Sequence, residues 1–214
     1  GFDVQILNEN GQQAKPAGTG NIVIKLPLPP GCLPTLWNDD ERYKNSYLSK
    51  FPGYYLTGDG GYKDEDGYVF VMGRTDDVIN VAGHRLSTGE MEELIGGHEA
   101  VAECAVVGIA DELKGQVPAG FVVLKDGFEV NNEVLEPELV QIIRNEIGAI
   151  ANFKQAAIVK RLPKTRSGKI LRKNIRILAD EGHTAIPSTI DDPAIIEEIK
   201  DVLQLRKIGV AFHT

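Results

Sequence analysis

The spacing of apolar residues changes once along this chain, and the change limits the folds that are open to it. Before about residue 75, stretches such as FDVQIL and NIVIKL alternate apolar with polar residues, which is the period of half-buried β-strands. After residue 77, helix-period stretches such as ELVQIIRNEI take turns with continuous apolar runs such as AECAVVGI. We therefore predict an α+β fold with a strand-rich first part and a compact mixed second part.

The same change of pattern suggests domain boundaries. We predict a β-rich domain at residues 1–75, a mixed domain at 76–181 and a C-terminal tail at 182–214. The tail helix follows the irregular link HTAIPSTID, so we expect it to pack peripherally. Asp76 lies where one domain passes into the next and is the candidate hinge, because the backbone can turn there without disturbing either core.

Helix starts can also be located from the sequence. Asn38 with Glu41, and Ser87 with Glu90, have the spacing of a capping box, in which the first side chain accepts a backbone N–H of the new helix. Pro137 is expected near the first turn of the helix that contains IIRNEI, because proline is tolerated where a helix begins.

Composition excludes several classes of function. The 214 residues carry 31 acidic and 23 basic side chains, a formal net charge of -8 that disfavours binding to nucleic acid or to an anionic membrane. The two cysteines lack CxxC spacing, which indicates a reducing compartment and neither a disulfide framework nor a metal site. No apolar run approaches a membrane span. The start GFDVQI lacks both Met and a signal-peptide layout, so we expect the chain to begin within a longer protein.

A local excess of cations contrasts with this acidic background. The stretch PKTRSGKILRK places Lys164, Arg166, Lys169, Arg172 and Lys173 around a glycine-containing loop and the start of a helical pattern. Such a loop can offer backbone N–H groups and a mobile ammonium to a phosphate or carboxylate. The alternative is a solvated basic helix face. A Walker phosphate loop is excluded because its first glycine is missing.

Two further segments carry candidate ligands for a nucleotide. In YYLTGD, Asp59 follows a strand and a glycine, where it could accept hydrogen bonds from two ribose hydroxyls or satisfy its own turn. In GRTDDVINVAGHRL, Arg74 and Arg85 supply donors for a sugar or a phosphate, and Gly83 permits close approach of a ligand. The alternative for these arginines is a surface ion-pair cluster.

Taken in order, YxTGD, GRxDDxIxxxGxR and PKTRSGK resemble the adenylate-forming superfamily, specifically its acyl-CoA synthetase branch, and are most similar to short-chain acetyl-CoA and propionyl-CoA synthetases. The resemblance covers about residues 1–182. It implies that residues 1–75 close the large AMP-binding domain and that a mobile C-terminal domain follows. It also implies conversion of propionate or acetate, ATP and CoA to acyl-CoA, AMP and pyrophosphate through an acyl-adenylate, with Mg²⁺ neutralising the phosphates. The isolated chain is expected to be inactive, since the family's ATP loop and acyl pocket lie upstream.

The resemblance also assigns roles in the first half-reaction. Lys169 matches the catalytic lysine, Asp59 and Arg74 match ribose ligands, and Arg85 matches a phosphate ligand. Asp76 matches the hinge between half-reactions.

For the second half-reaction, the resemblance places Gly83, His84 and Arg144 beside CoA. A general-base role for His84 is disfavoured, because thiol attack on a mixed anhydride needs little help. The alternative for Arg144 is an ordinary exposed helix arginine.

Two other functions remain open at this stage. One is an adenylating enzyme whose acceptor is a carrier-protein pantetheine, and the other is a noncatalytic domain that binds an acidic partner through residues 164–173. The resemblance further implies the mitochondrial matrix, with the cytoplasm as the alternative. Because acylation of Lys169 would remove its charge and leave the fold intact, a lysine acyltransferase or deacylase is a further expected partner. Acyl-chain preference and oligomeric state are not encoded in these motifs.

Overall fold

The computed structural model describes residues 1–75 and 77–213, and it divides into two compact units between positions 76 and 77. The described strands are β1 (Val4–Leu7), β2 (Gly20–Lys25), β3 (Tyr54–Lys63), β4 (Val69–Arg74), β5 (Val78–Val81), β6 (His84–Ser87), β7 (Val101–Asp111), β8 (Gly115–Leu124) and β9 (Gln155–Ile158). The described α-helices are α1 (Asp40–Tyr47), α2 (Thr88–Gly96), α3 (Asn132–Glu146), α4 (Arg172–Glu181) and α5 (Ala194–Arg206). This mixture confirms the predicted α+β class.

The first unit is an antiparallel sheet in the order β1-β2-β3-β4, with α1 between β2 and β3 along the chain. The two alternating stretches at its start form β1 and β2, as predicted. One face of this sheet buries a small core of Leu7, Val23 and Phe51.

The helix starts agree only in part with the sequence. Ser87 caps α2 by accepting the N–H of Glu90 over 3.3 Å, which confirms that prediction. Asn38 does not cap α1, because its backbone is left-handed with φ of 52° while a cap residue needs an extended backbone. Asp39 takes that place, and its carboxylate accepts the N–H of Arg42 over 3.2 Å.

Helix α3 starts earlier than we predicted from the position of Pro137. Asn131 is the cap, and its side chain accepts the N–H of Val134 over 3.1 Å. Pro137 therefore lies inside the helix and not at its first turn.

The second unit consists of a central sheet with helices on both faces. Its strands run in the order β6-β5-β8-β7, and β9 pairs in parallel with β8. Successive residues of β7 point to opposite faces, so Val107 belongs to the core under α4 and α5, while Val106 belongs to the core under α2 and α3. Burial on both faces explains why the central strands are continuous apolar runs.

Helix α5 is part of this core. We expected a peripheral helix, but the structure buries four of its side chains against the central sheet: Ile195, Ile196, Ile199 and Leu203. Sequence alone could not show this, because the link before α5 has no regular pattern and its length says nothing about where the helix docks.

The link itself runs along the basic loop. Thr189 accepts the backbone N–H of Arg166 over 3.0 Å, and Asp191 donates its backbone N–H to the carbonyl of Lys164 over 2.9 Å. Ile190 is buried between these contacts. The tail therefore supports the loop that precedes α4.

Shortening a buried side chain of α5 tests whether this helix stabilises the domain. Ile199→Ala should lower the free energy of unfolding by about 2–5 kcal/mol, because Ile199 is 1% exposed and the change leaves a cavity. Leu205→Ala on the same helix is the matched control, since that side chain is 83% exposed. Urea unfolding of the 214-residue chain measures both variants, and equal, small effects would mean that α5 does not contribute to the core.

Candidate functional site

In the first unit, Asp59 and Arg74 lie opposite each other on β3 and β4. Nη1 of Arg74 is 3.6 Å from Oδ1 of Asp59 and donates to the carbonyl of Thr57 over 3.3 Å. Both side chains reach the surface, so the pair contributes little to stability. It presents a carboxylate and a guanidinium side by side, an arrangement that can accept from and donate to the hydroxyls of a sugar.

Gly58 allows this arginine to fold back over the strand. Its backbone is left-handed with φ of 81°, and a Cβ at this position would lie 2.7 Å from Nη2 of Arg74. Gly58 is therefore required for two reasons: its backbone is left-handed, and the guanidinium of Arg74 lies too close to leave room for a Cβ.

In the second unit, β5 and β6 form a tight hairpin. Its two turn residues, Ala82 and Gly83, have φ of 48° and 89°, the conformation of a two-residue turn that suits the twist of antiparallel strands. His84 and Arg85 follow on β6 and are exposed. The N–H of Ala82 donates to the carbonyl of Lys114 over 2.8 Å, which ties the turn to the start of β8.

The basic loop is a second tight turn, organised by Thr165. The Thr165 N–H donates to the carbonyl of Lys169, and its own carbonyl accepts the N–H of Gly168, both over 2.8 Å. Its hydroxyl accepts the N–H of Lys169 over 3.1 Å. The backbone at Lys169 is thus fixed, while among the described residues its exposed ammonium has no partner.

Two of the five cations in this stretch have structural partners instead. Lys164 contacts Glu103 of β7 at 2.6 Å. The guanidinium of Arg172 donates twice to the Glu92 carboxylate, over 2.8 and 2.7 Å, and these hydrogen bonds raise the pKa of Arg172 above its usual range. The stretch is therefore not a uniform solvated basic face, because its ends are held by ion pairs and its middle presents Lys169.

Arg144 lines a cleft at the end of α3. The cleft has a volume of about 280 Å³ and is walled by Val140, Ile143, Arg144, Gly148, Ala149, Asn152, Phe153 and Lys154. Arg144 is exposed there. Sequence reasoning selected this arginine but missed the other polar residues of the cleft, since no local motif marks Asn152 or Lys154.

Lys114 joins the hairpin turn to this cleft. Its carbonyl accepts the N–H of Ala82, and its ammonium donates to Oδ1 of Asn152 over 2.9 Å. The turn that contains Gly83 and the cleft that Arg144 lines, both predicted to contact CoA, are thereby linked through one lysine. The stretch DELKGQ gave no sequence signal for this role, because it reads as an ordinary turn.

The remaining predictions concern the hinge, metal binding and membrane spans. Asp76, the candidate hinge, lies outside the described residues. Within residues 1–75 and 77–213, no group of three or more His, Cys, Asp or Glu side chains could hold a metal ion. In the same part of the chain, no helix combines the length and apolar character of a membrane span.

The motifs and the fold agree with known proteins. Residues 90–169 match the family model of the AMP-binding enzyme C-terminal domain. Over 204 residues the chain is 50% identical to acyl-CoA synthetase short-chain family member 3, mitochondrial, of Mus musculus, covering 95% of this chain and 30% of that protein. The chain belongs to the adenylate-forming acyl-CoA synthetase family.

Two further comparisons place this chain among its relatives. Over 209 residues it is 60% identical to an uncharacterized protein of Pseudomonas aeruginosa, covering 98% of this chain and 33% of that protein. The solved structure of acetoacetyl-CoA synthetase from Streptomyces lividans has the same fold, with a TM-score of 0.79 at 22% identity over 96% of this chain and 31% of that one. The chain spans about a third of the length of the curated relatives it matches.

Gly58→Ala should displace Arg74 from its position beside Asp59, because the new Cβ meets the guanidinium. The matched control is Gly53→Ala, where φ is 86° and no atom lies within 4 Å of the new Cβ. Both variants should lose about 1–2 kcal/mol from the left-handed backbone, but only Gly58→Ala should shift the Arg74 Nε–H resonance in an NMR spectrum. Equal shifts in both variants would contradict the close approach.

Cys104 provides a test of pH dependence beside the Arg172–Glu92 pair. Burial, followed by the nearby Glu92 carboxylate, raises the pKa of the Cys104 thiol to about 11. The folded state thus favours the neutral thiol. Its contribution to stability is complete below the unfolded pKa of about 8.5 and is lost as the pH rises through the folded pKa.

Cys104→Ala should therefore show a smaller loss of stability than the unmodified chain between those pH values, measured by urea unfolding. Cys32→Ala is the control and should keep the loss. At pH 8, Cys104 should also react more slowly with a disulfide reagent in the native chain than in urea, and equal rates would contradict the raised pKa.

Proposed function

We propose that the protein containing this chain is an AMP-forming acyl-CoA synthetase. The observation that carries the proposal is Lys169, an ammonium without a partner among the described residues, fixed at its backbone by Thr165 inside the PKTRSGK loop. A charge held in this way costs no reorganisation when it meets an anion. The Asp59–Arg74 pair of the first unit adds ligands suited to a ribose.

In the proposed first half-reaction, a carboxylate oxygen attacks the α-phosphorus of ATP and pyrophosphate leaves. Lys169 contacts the attacking carboxylate and the α-phosphate, where negative charge accumulates. Asp59 accepts hydrogen bonds from the ribose hydroxyls, Arg74 supports the sugar and Arg85 contacts phosphate. Mg²⁺ would neutralise the phosphates. No ligand for it is assigned to this chain.

In the proposed second half-reaction, the CoA sulfur attacks the acyl carbonyl of the adenylate and AMP leaves, with loss of the thiol proton. The hairpin turn at Gly83 and His84 lies along the pantetheine, and Arg144 contacts a phosphate of the CoA nucleotide. The domains at residues 1–75 and 76–181 change their mutual orientation between the two steps, with Asp76 as the hinge. Lys169 then leaves the reacting atoms.

The finer assignments are also proposals. Propionate or acetate is the proposed acid, supported by the identity to the short-chain family member of Mus musculus. That relative is named mitochondrial, which supports the mitochondrial matrix, whereas the Pseudomonas aeruginosa relative is bacterial and fits the cytoplasmic alternative. Acylation of Lys169 would remove the charge and leave the fold intact, so an acyltransferase and deacylase pair could regulate the enzyme.

The two alternative functions have less support. A carrier-protein acceptor would not need a cationic cleft for a nucleotide phosphate, and Arg144 lines such a cleft. A noncatalytic domain that binds an acidic partner would present all the cations of residues 164–173. The ion pairs at Lys164 and Arg172 leave fewer of them for a partner.

Removing the Lys169 charge should separate the two half-reactions in the full-length enzyme. Lys169→Ala should slow acyl-adenylate formation by about 10²–10³-fold, because one preorganised charge contact is lost. Thioester formation from supplied acyl-adenylate and CoA should be nearly unchanged. Pyrophosphate exchange and acyl-CoA release measure the two steps separately.

Lys173→Ala is the matched control, since this exposed lysine lies on α4 outside the proposed contacts. Both variants should keep the thermal unfolding midpoint, because the Lys169 ammonium has no partner in the described structure. Equal slowing of both half-reactions by Lys169→Ala would contradict the proposed role.

A further inference from the structure

The two arms of the loop that carries Lys169 are paired like a short hairpin. Lys164 and Ile170 form an antiparallel bridge, and the N–H of Thr165 donates to the carbonyl of Lys169 over 2.8 Å. The first arm, at residues 163–165, therefore fixes the returning arm that contains Lys169. Whatever holds the first arm in place also determines where the lysine lies.

The tail of the chain holds the first arm from its other side. Ile190 of the link HTAIPSTID forms an antiparallel bridge with Thr165. Backbone hydrogen bonds on either side of this bridge, over 3.0 and 2.9 Å, make the link a third strand-like segment beside the two arms. The Ile190 side chain is buried in the core under α4 and α5, which anchors the middle of the link. The first arm is thus paired with Lys169 on one side and with the tail on the other.

A cluster of three charged side chains, the Arg161 cluster, fixes the end of the link where α5 begins. Nη1 of Arg161 is 2.6 Å from Oδ2 of Asp192, while its Nη2 and Nε donate to the two carboxylate oxygens of Glu198 over 2.6 and 3.1 Å. The other oxygen of Asp192 accepts the N–H of Ala194, the first residue of α5, over 2.9 Å. Arg161 lies just before the PKTRSGK loop, so the cluster joins the base of the loop to the end of the link.

The geometry of this cluster matters more than its contribution to stability. The side chains of Arg161 and Asp192 are each 42% exposed, so the ion pair adds little to the free energy of unfolding. A planar guanidinium that contacts two carboxylates nevertheless fixes their relative positions, because its donors have a rigid arrangement. The hydrogen bonds from Arg161 lower the pKa of the Glu198 carboxyl, which keeps that partner charged.

We propose that Arg161 and Asp192 are positioning residues for Lys169, which hold the link against the loop so that the ammonium meets the reacting carboxylate and the α-phosphate. A displacement of about 1 Å at a reacting group can cost up to 10²-fold in rate, so a contact outside the site can control the chemistry. The inference rests on the proposed function, in which Lys169 acts in the first half-reaction only. It gives the tail after residue 181 a role in acyl-adenylate formation.

Amide hydrogen exchange in the 214-residue chain tests the structural part of the proposal. Asp192→Asn keeps an oxygen for the Ala194 N–H but turns an amide NH₂ toward Arg161, so only the ion pair is lost. The amide of Arg166, which donates to the link, should then exchange about tenfold faster. Glu197→Gln is the matched control, because it changes a neighbouring exposed carboxylate of α5 that is not in the cluster. Equal exchange rates in the two variants would overturn the proposal.

Kinetics of the full-length enzyme test the functional part. Asp192→Asn should slow pyrophosphate exchange about tenfold, less than Lys169→Ala does, because displacement weakens a charge contact that deletion removes. Thioester formation from supplied acyl-adenylate should stay unchanged. Asp192→Glu keeps the charge and should restore most of the rate, whereas Glu197→Gln should change neither step. Equal slowing of both steps by Asp192→Asn would contradict a role that acts through the lysine.

A double variant separates positioning from a general loss of structure. With Lys169→Ala already present, Asp192→Asn should slow pyrophosphate exchange no further, and an additional tenfold loss would overturn the proposal. Arg161→Lys lacks the planar fork and should give the same pattern, which keeps the test decisive if Asp192→Asn does not fold. Pyrophosphate exchange that survives Lys169→Ala would overturn the proposed function. Exchange that is slowed by Lys169→Ala but by neither cluster variant would overturn only this inference.

Discussion

The Glu92 carboxylate connects three elements of the second unit at one point. It accepts the backbone N–H of Val106 over 2.8 Å and two N–H groups of Arg172, and so joins α2, β7 and the start of α4. A cation in the first turn of a helix opposes the helix dipole, and Glu92 offsets this by placing negative charge at the same point. Removing either partner would leave a largely buried charge uncompensated. Because α2 follows the β5–β6 hairpin and α4 follows the loop of Lys169, this one ion pair relates the two segments to each other.

The loop of Lys169 combines a fixed backbone with a mobile side chain. Thr165 and the link through Thr189 hold its backbone, while the ammonium extends into solvent. In the cleft that Arg144 lines, by contrast, it is the side chain of Asn152 that is held, by a hydrogen bond from Lys114. In the first scheme the ammonium can move to meet an anion, whereas in the second the amide is oriented in advance.

The sequence predicted the local features of this structure well and the distant contacts poorly. Alternation, continuous apolar runs and the Ser87 cap depend on neighbouring residues, and the structure agrees with them. The motifs marked Lys169 and Asp59 because glycines and charges cluster around them. The contact of Lys114 with Asn152 and the burial of α5 join segments far apart in the chain, and no local pattern encodes such pairs. The sequence could not distinguish Asn38 from Asp39 as the cap, because both residue types are good caps, and the left-handed backbone at Asn38 leaves Asp39 in that place.

The burial of α5 also shows that the region matched by the family model is shorter than the domain that packs around one core. The region that the family model recognises ends at residue 169, yet one face of the central sheet is covered by α4 and α5, which come later in the chain. A module exchanged between related enzymes at the recognised limits would carry a sheet with one face stripped of its cover. Such a face would favour association with other chains. A segment exchanged as one unit must therefore include the helices that cover the apolar face of the sheet. It extends well past residue 169, where the match to the family model ends.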